Sequence, residues 1–429
     1  MSDQLVSVVV PTCADATAAV RCVTTIREHA SGTVEVIVVE NRPEKSCVSA
    51  ALTEAFGPDS GVRYIEEPTP GLSRARNAGL AVASGSIVAF PDDDVVVDEY
   101  WLESLRDAFA TYPDAVCVTG RIEPLELGTR AQSFLEQFAT YDKGDVTRVY
   151  RLDAPPEDIP LFPYTAGHFG SGANMAFRRD ALVKLRGFDP LLGAGTRARG
   201  GEDLDICIRV LLSGDTLVYE PRAVVRHPHP DTMRLLHQQA FNYGAGLGAL
   251  VAKHLTIGPN RTGMIRRIPA GLGYLFGRGS RKNSSKQPDF PRRLELLEVL
   301  GLVAGAIGYL RTLAGREPDP ERRADPTPLL PRRVWSGELD LASPVIASGR
   351  RLTHAGVPFD EARLLIRVLG EPVGFVQTPL LSGELTLQQV LADLDSELAH
   401  AADHQLASNN LPSLAVLIAG AQSNLEEAA

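Results

Sequence analysis

The chain has 429 residues, of which 44% are hydrophobic and 22% charged, enough apolar material for one large buried core and a smaller one beside it. A formal net charge of −10 excludes nucleic acid as the main partner, because nothing at whole-chain level attracts a polyphosphate backbone. The five cysteines are scattered and include no Cys-x-x-Cys pair, which excludes a disulfide framework and a zinc site and predicts a reducing, cytoplasmic compartment; the short polar start predicts no signal peptide.

In chain order, Val6 to Val10 is an apolar, β-branched run ending at Pro11-Thr12, followed by a helical pattern and a second run, Val34 to Val39, ending at Glu40-Asn41. Such runs alternating with helices predict buried parallel strands. Arg63 to Ile65, Ile87 to Phe90 and Val116 to Thr119 predict further strands, with a helix from about Ser73 to Ala83. The fold class is therefore α/β, a doubly wound sheet that binds ligands at the carboxyl ends of its strands. Phe169 to Phe177 reads as a Gly-rich loop before a helix at Arg179 to Leu185; a helix follows from Glu202 to Leu212, then a strand at Thr216 to Tyr219, so that loops and single helices dominate this half.

Three carboxylates, Asp92-Asp93-Asp94, follow directly on the strand ending at Phe90-Pro91. Adjacent like charges are costly without a positive centre among them, and Mg²⁺ or Mn²⁺ takes carboxylate oxygens and substrate phosphates. A solvated acidic turn or a helix N-terminus fits the triplet by itself equally well. Pro70 to Gly79 adds a glycine turn, Ser73, Arg74 and Arg76, a combination suited to a pyrophosphate, with a surface helix whose arginines face solvent as the alternative. Gly200-Gly201 before Glu202-Asp203 reads either as first-turn carboxylates that stabilise the helix dipole or as a flexible pair ahead of a base that reaches an acceptor hydroxyl, while His227 and His229 read as metal ligands or, by a small margin, plain loop residues.

In this order and spacing the chain resembles the family 2 glycosyltransferases of the GT-A fold. The resemblance rests on Val8 to Thr12, Val38 to Asn41, Gly71 to Gly79, Asp92-Asp93-Asp94, Gly172 to Met175 with Gly187-Phe188-Asp189, Gly201-Glu202-Asp203 and His227, and it covers roughly Val6 to Leu255. It implies a mixed sheet flanked by helices and an inverting, metal-dependent transfer of one sugar, a hexose or related residue, from a nucleoside-diphosphate sugar to a hydroxyl acceptor. A UDP-sugar is the favoured donor, and the acceptor is a glycan, a lipid-linked molecule or a small molecule. By the same resemblance Thr12, Glu40, Arg74, Arg76, Asp92 and Asp93 surround the nucleotide sugar, Asp94 and His227 hold Mn²⁺ or Mg²⁺, Asp203 is the general base, and Asn174 and Glu202 line the acceptor cleft. Glu40 stands where Asp is usual. Gln238-Gln239-Ala240-Phe241-Asn242 replaces the Gln-x-x-Arg-Trp signature of processive synthases, which argues for addition of one or a few sugars. The competing readings are a nucleotidyltransferase, disfavoured because Pro11 to Val20 lacks a Gly-, Arg- and Lys-containing loop, and a catalytically degenerate binding or scaffolding protein.

The sequence divides into residues 1–255 as the transferase domain, 256–330 as a basic amphipathic helical segment with linkers at Gly277 to Pro291 and Glu317 to Pro331, and 331–429 as a small α+β module. Within the basic segment, Val299 to Leu310 reads as too short to span a bilayer and suited to lying on one; helices packed on the catalytic domain or a homo-oligomer interface are the alternatives. The last module reads as a hairpin at Leu364 to Gln377, turning near Gly370, then a helix from Thr386 to His404 and a tail from Leu414 that is either frayed or the first strand of a truncated unit.

Overall fold

The computed structural model describes residues 5–315, 334–344 and 361–416, apart from positions 31, 44–46, 58–59, 140, 142, 259–260, 278–279, 285, 288, 370, 381–383, 395 and 410. The expected linker at 317–331 and the tail beyond 416 lie outside the described residues. The chain folds as two compact units, Met1–Glu317 and Pro318–Ala429.

The first unit opens with β1 (Val6–Thr12), α1 (Ala16–Glu28), β2 (Val34–Asn41), α2 (Val48–Phe56), β3 (Val62–Glu67), α3 (Leu72–Val82) and β4 (Ile87–Pro91). It continues through β5 (Val96–Val97), α4 (Trp101–Thr111), β6 (Ala115–Pro124), α5 (Arg130–Ala139), β7 (Arg148–Tyr150), β8 (Asn174–Arg178), α6 (Arg179–Lys184), α7 (Glu202–Leu212) and β9 (Thr216–His227). Helices α8 (Met233–Thr256), α9 (Arg261–Phe276), α10 (Arg281–Ser284) and α11 (Arg292–Leu313) close it.

One mixed sheet runs in the order β3-β2-β1-β4-β8-β6-β9-β5, with β7 also on β9. Strands β3, β2, β1 and β4 are parallel, β8 is antiparallel to both β4 and β6, and β9 is parallel to β6. This is the mixed α/β sheet flanked by helices that the GT-A resemblance implies. Alternation along β1 shows how the two cores arise: Val8 and Val10 enter a core with Ile26 and Trp101, whereas Val9 enters the opposite one with Leu80 and Ile206. Burial on both faces explains why β1, β2 and β4 read as unbroken apolar runs.

The half read as loops and single helices contributes β7, β8 and the twelve-residue β9. Pro221-Arg222 interrupts the apolar pattern of β9, and its register against β6 shifts between Gly120 and Arg121, which hid the strand's true length. The pairing of β5 with β9 sets Val96 opposite Arg226. His227, read with slight preference as a loop residue, therefore ends a strand, one register step away, beside the acidic loop.

A second correction concerns α11. Its 22 residues make it, by length and composition, a helix long and apolar enough to cross a membrane, where Val299 to Leu310 alone reads as too short. Within this unit its buried edge packs on α8 at backbone distance. A Cβ on Gly244 would meet the Glu298 carbonyl oxygen at 1.9 Å, one on Gly248 the Leu302 carbonyl at 1.9 Å, and one on Gly305 the Ala245 carbonyl at 1.9 Å.

The second unit has a three-stranded sheet of β10 (Val334–Asp340), β11 (Glu361–Val368) and β12 (Glu371–Pro379), with β10 parallel and β12 antiparallel to β11. The expected hairpin is β11–β12. The expected single helix is two, α12 (Leu387–Ala392), opened by a capping box of Thr386 and Gln389, and α13 (Ser396–Ser408). Leu364, Ile366, Val390 and Leu406 are among its buried core.

Candidate active site

The carboxyl ends of β1, β2 and β4 bring Thr12, Glu40 and the acidic loop to one edge of the sheet. Both Thr12 and Glu40 are buried, and Glu40 Oε1 accepts a 3.0 Å hydrogen bond from the Ala14 amide. Asn41, next along β2, donates to the carbonyls of Glu67 and Thr69 and accepts from the Gly71 amide, so it fixes the turn that starts α3. Arg74, on the first turn of α3, is partly exposed.

Arg76, one turn along α3, is 1% exposed. Its guanidinium donates to Glu202 Oε1 at 2.8 Å, to Asp92 Oδ1 at 3.0 Å and to the Gly172 carbonyl at 3.0 Å, and it lies over the Phe188 ring at 5.5 Å. Residues expected on the donor and acceptor sides are thus joined by one buried cation. A planar fork with fixed donors suits such a bridge.

The acidic triplet divides into distinct environments. Arg21 donates to the Asp94 carbonyl at 2.8 Å and the Cys22 thiol to the Asp92 carbonyl at 3.4 Å, so α1 holds the loop from below. Burial, followed by the neighbouring charges of Asp94 and Asp92, pushes Asp93 up to about 7 against the opposing influence of Thr12. Asp94 is also raised, chiefly by burial, with His227 opposing. One ligand atom each from Asp92, Asp94 and His227 lies within 4.8 Å of the others. His227 Nε2 stands 3.6 Å from Asp94 Oδ1, and both Asp94 Oδ1 and His227 Nδ1 are buried without a hydrogen-bond partner. Buried polar atoms are normally satisfied, so the orphaned Asp94 Oδ1, faced by His227 Nε2 and with Asp92 beside it, fits a divalent cation.

Asp203 sits in the first turn of α7, where its Oδ2 accepts from the Gly172 amide at 2.9 Å and its Oδ1 from the Leu204 amide at 2.8 Å. Glu202 is buried against Arg76, and its carboxyl is raised above the ordinary range by burial and then by the Asp203 charge. The Gly200-Gly201 pair is no slack hinge. Gly201 has φ +87°, and a Cβ there would stand 2.6 Å from the Gly246 carbonyl, so α8 clamps the start of α7.

Asp94, Glu202, Asp203 and His227 line one cleft of about 1040 Å³, which runs on between α8 and α9. Asn174 does not face it: its side chain is 0% exposed, accepts from Trp101 Nε1 and donates to the carbonyls of Arg121 and Ala223. With all these partners inside the fold, it ties β8 to α4, β6 and β9, which corrects its assignment to the acceptor cleft. His229 bonds Glu136 at 2.5 Å and stacks on Tyr141. Sequence reasoning missed Tyr243, Tyr141 and His168 in the cleft wall and the support from α1; the Gly244-to-Gly248 spacing on α8 was the available signal.

A mixed α/β sheet that brings a carboxylate–imidazole cluster and a helix-borne carboxylate onto one cleft offers a candidate site at the carboxyl edge of its strands. Comparison with known proteins makes this specific: residues 7–186 match the family described as glycosyl transferase family 2. That match lies in the N-terminal part of this chain. It is 30% identical over 280 residues to a pre-mycofactocin glycosyltransferase of Mycobacterium tuberculosis, covering 63% of this chain and 54% of that protein. It is 27% identical over 195 residues to a glucosyl-dolichyl phosphate glucuronosyltransferase of Haloferax volcanii, covering 45% and 58%. The chain thus spans a little over half the length of these relatives. Among solved structures, a mannosyltransferase of Pyrobaculum calidifontis in complex with GDP-Man and Mn²⁺ is similar at 19% identity and a TM-score of 0.47, over 71% of this chain and 86% of that one.

Proposed function

We propose that the chain is an inverting glycosyltransferase that moves one sugar from a nucleoside-diphosphate sugar, first among candidates a UDP-sugar, to a hydroxyl acceptor. The observation that carries this reading is the cluster of Asp92, Asp94 and His227, with Asp94 Oδ1 buried and unpartnered, on the same cleft as Asp203. Asp94 and His227, with Asp92 beside them, would hold Mn²⁺ or Mg²⁺, which when bound neutralises the charge that grows on a departing diphosphate. Thr12, Glu40 and Arg74 would contact the nucleotide. Arg76, enclosed by Asp92 and Glu202, would act by holding those two carboxylates.

Asp203 would take the proton from the acceptor hydroxyl. The oxygen then forms its bond to the anomeric carbon as the bond to the diphosphate breaks on the opposite face, and the configuration inverts. The hydrogen bonds from Gly172 and Leu204 support this role because they fix the carboxylate before the acceptor arrives. The test is transfer from a panel of nucleotide sugars by Asp203→Asn: loss of at least about a hundredfold in turnover with nucleotide binding retained supports the assignment. Unchanged turnover refutes it.

We place the reaction at a cytoplasmic membrane face. Leu296, Leu300, Val303, Ile307 and Leu310 form an exposed stripe on α11, whose ends carry Arg292, Arg293 and Arg311, a pattern matched to anionic lipid.

A further inference from the structure

The cleft has two chemically different ends. Asp94, Asp203 and His227 define one; the other is walled by Leu250 of α8, Met264, Ile268, Leu272 and Leu275 of α9, and Leu302 of α11. At about 1040 Å³ it exceeds the volume of about 300–1,000 Å³ that drug-sized ligands fill. Ile268 is 39% exposed and Leu272 52% exposed, so part of each side chain faces water on a cleft wall as the chain stands. Two cations line this arm: Lys282 is ion-paired with Glu298, and Arg267 donates to the Gly263 carbonyl and lies over the Tyr164 ring at 5.6 Å.

Resting on the transferase reading, we infer that the acceptor is amphipathic: its hydroxyl reaches Asp203 while a hydrocarbon chain fills the arm between α8 and α9. Continuity of the apolar wall with the reacting end, in one cleft, selects a chain belonging to the acceptor. Covering the exposed parts of Ile268 and Leu272 supplies the hydrophobic contribution to its binding, and the wall sets how far the hydroxyl extends toward α7.

The test titrates n-alkyl β-D-glucosides, methyl to decyl and below their micelle concentrations, into the full chain by calorimetry, with and without UDP and Mn²⁺. Affinity is expected to rise with chain length, by up to about fourfold per methylene. Leu272→Glu and Ile268→Ser, both at solvent-exposed positions, should flatten that slope, whereas Leu310→Glu, outside the cleft lining, should keep it. A flat series in the unaltered chain, a slope retained in both cleft variants, or a slope lost in Leu310→Glu overturns the inference. A chain-length slope without any binding of UDP and Mn²⁺ upholds the apolar arm and refutes the transferase reading; binding of UDP and Mn²⁺ with a flat series does the reverse.

Discussion

Asp94 and His227 are joined by a contact between residues 133 positions apart, and each leaves one buried atom without a partner. Removing either carboxylate or imidazole should remove the cation. Asp94→Ala and His227→Ala are each expected to abolish the rise in melting temperature that Mn²⁺ gives the unaltered chain, measured by thermal shift. Asp92 and Asp94 were legible because they are adjacent in the sequence at the end of an apolar strand. His227 was less so, since the β5–β9 pairing that carries it there is long-range, and Asn174 misled because a saturated buried amide looks like any other asparagine in a motif. Away from the cleft, Glu35 offers a pH prediction. Burial would raise its carboxyl, but hydrogen bonds from Ser7, Ser84 and the Gly85 amide prevail and lower it from 4.5 to about 2. A depressed folded-state pKa stabilises the fold above the unfolded value, and that contribution is lost as pH falls from about 4.5 toward about 2. Glu35→Gln should flatten the melting temperature over that window, while an unchanged acid limb would exclude the role.

Helices α7, α8 and α11 form the framework that presents Asp203. Lys253 of α8 pairs with Asp205 at 2.8 Å and Asp189 at 2.6 Å, and Arg209 pairs with Asp205 at 2.7 Å. Burial works against the Asp205 carboxylate, yet His254, Arg209 and Lys253 hold it well below the usual carboxylate range. Asp205→Asn removes the carboxylate that Arg209 and Lys253 share, leaving Lys253 with Asp189 alone, and is expected to cost up to about 3 kcal/mol in chemical denaturation. Gly248→Val drives a side chain into the Leu302 carbonyl and is expected to cost at least about 1–3 kcal/mol. Because α8 also seats Gly201, that variant should reduce turnover even where the fold survives. At this scale the sequence revealed β1, β2, β4, α3 and α7, whose apolar periods are complete within a few residues. It concealed β8, which follows glycines, and α8, whose glycine-rich faces meet backbone and so carry few of the large apolar residues that mark a helix.

Across the whole molecule, the class of the sheet followed from its alternating runs, whereas the cleft did not, because α8 and α9 reach it from far along the chain. The stripe on α11 and the basic residues at its ends predict that the purified chain floats with anionic vesicles at low salt and is released as ionic strength rises. Binding to neutral and anionic vesicles alike would leave charge out of the account; no binding to either would remove the membrane face. The central claim is that this cleft binds a nucleoside diphosphate through a cation held by Asp94 and His227. Calorimetric titration of UDP and GDP with and without Mn²⁺, on the unaltered chain and on Asp94→Asn, tests it most directly. The account predicts nucleotide binding that requires Mn²⁺ and disappears in Asp94→Asn; equal binding without the cation, or binding that survives that substitution, would contradict it.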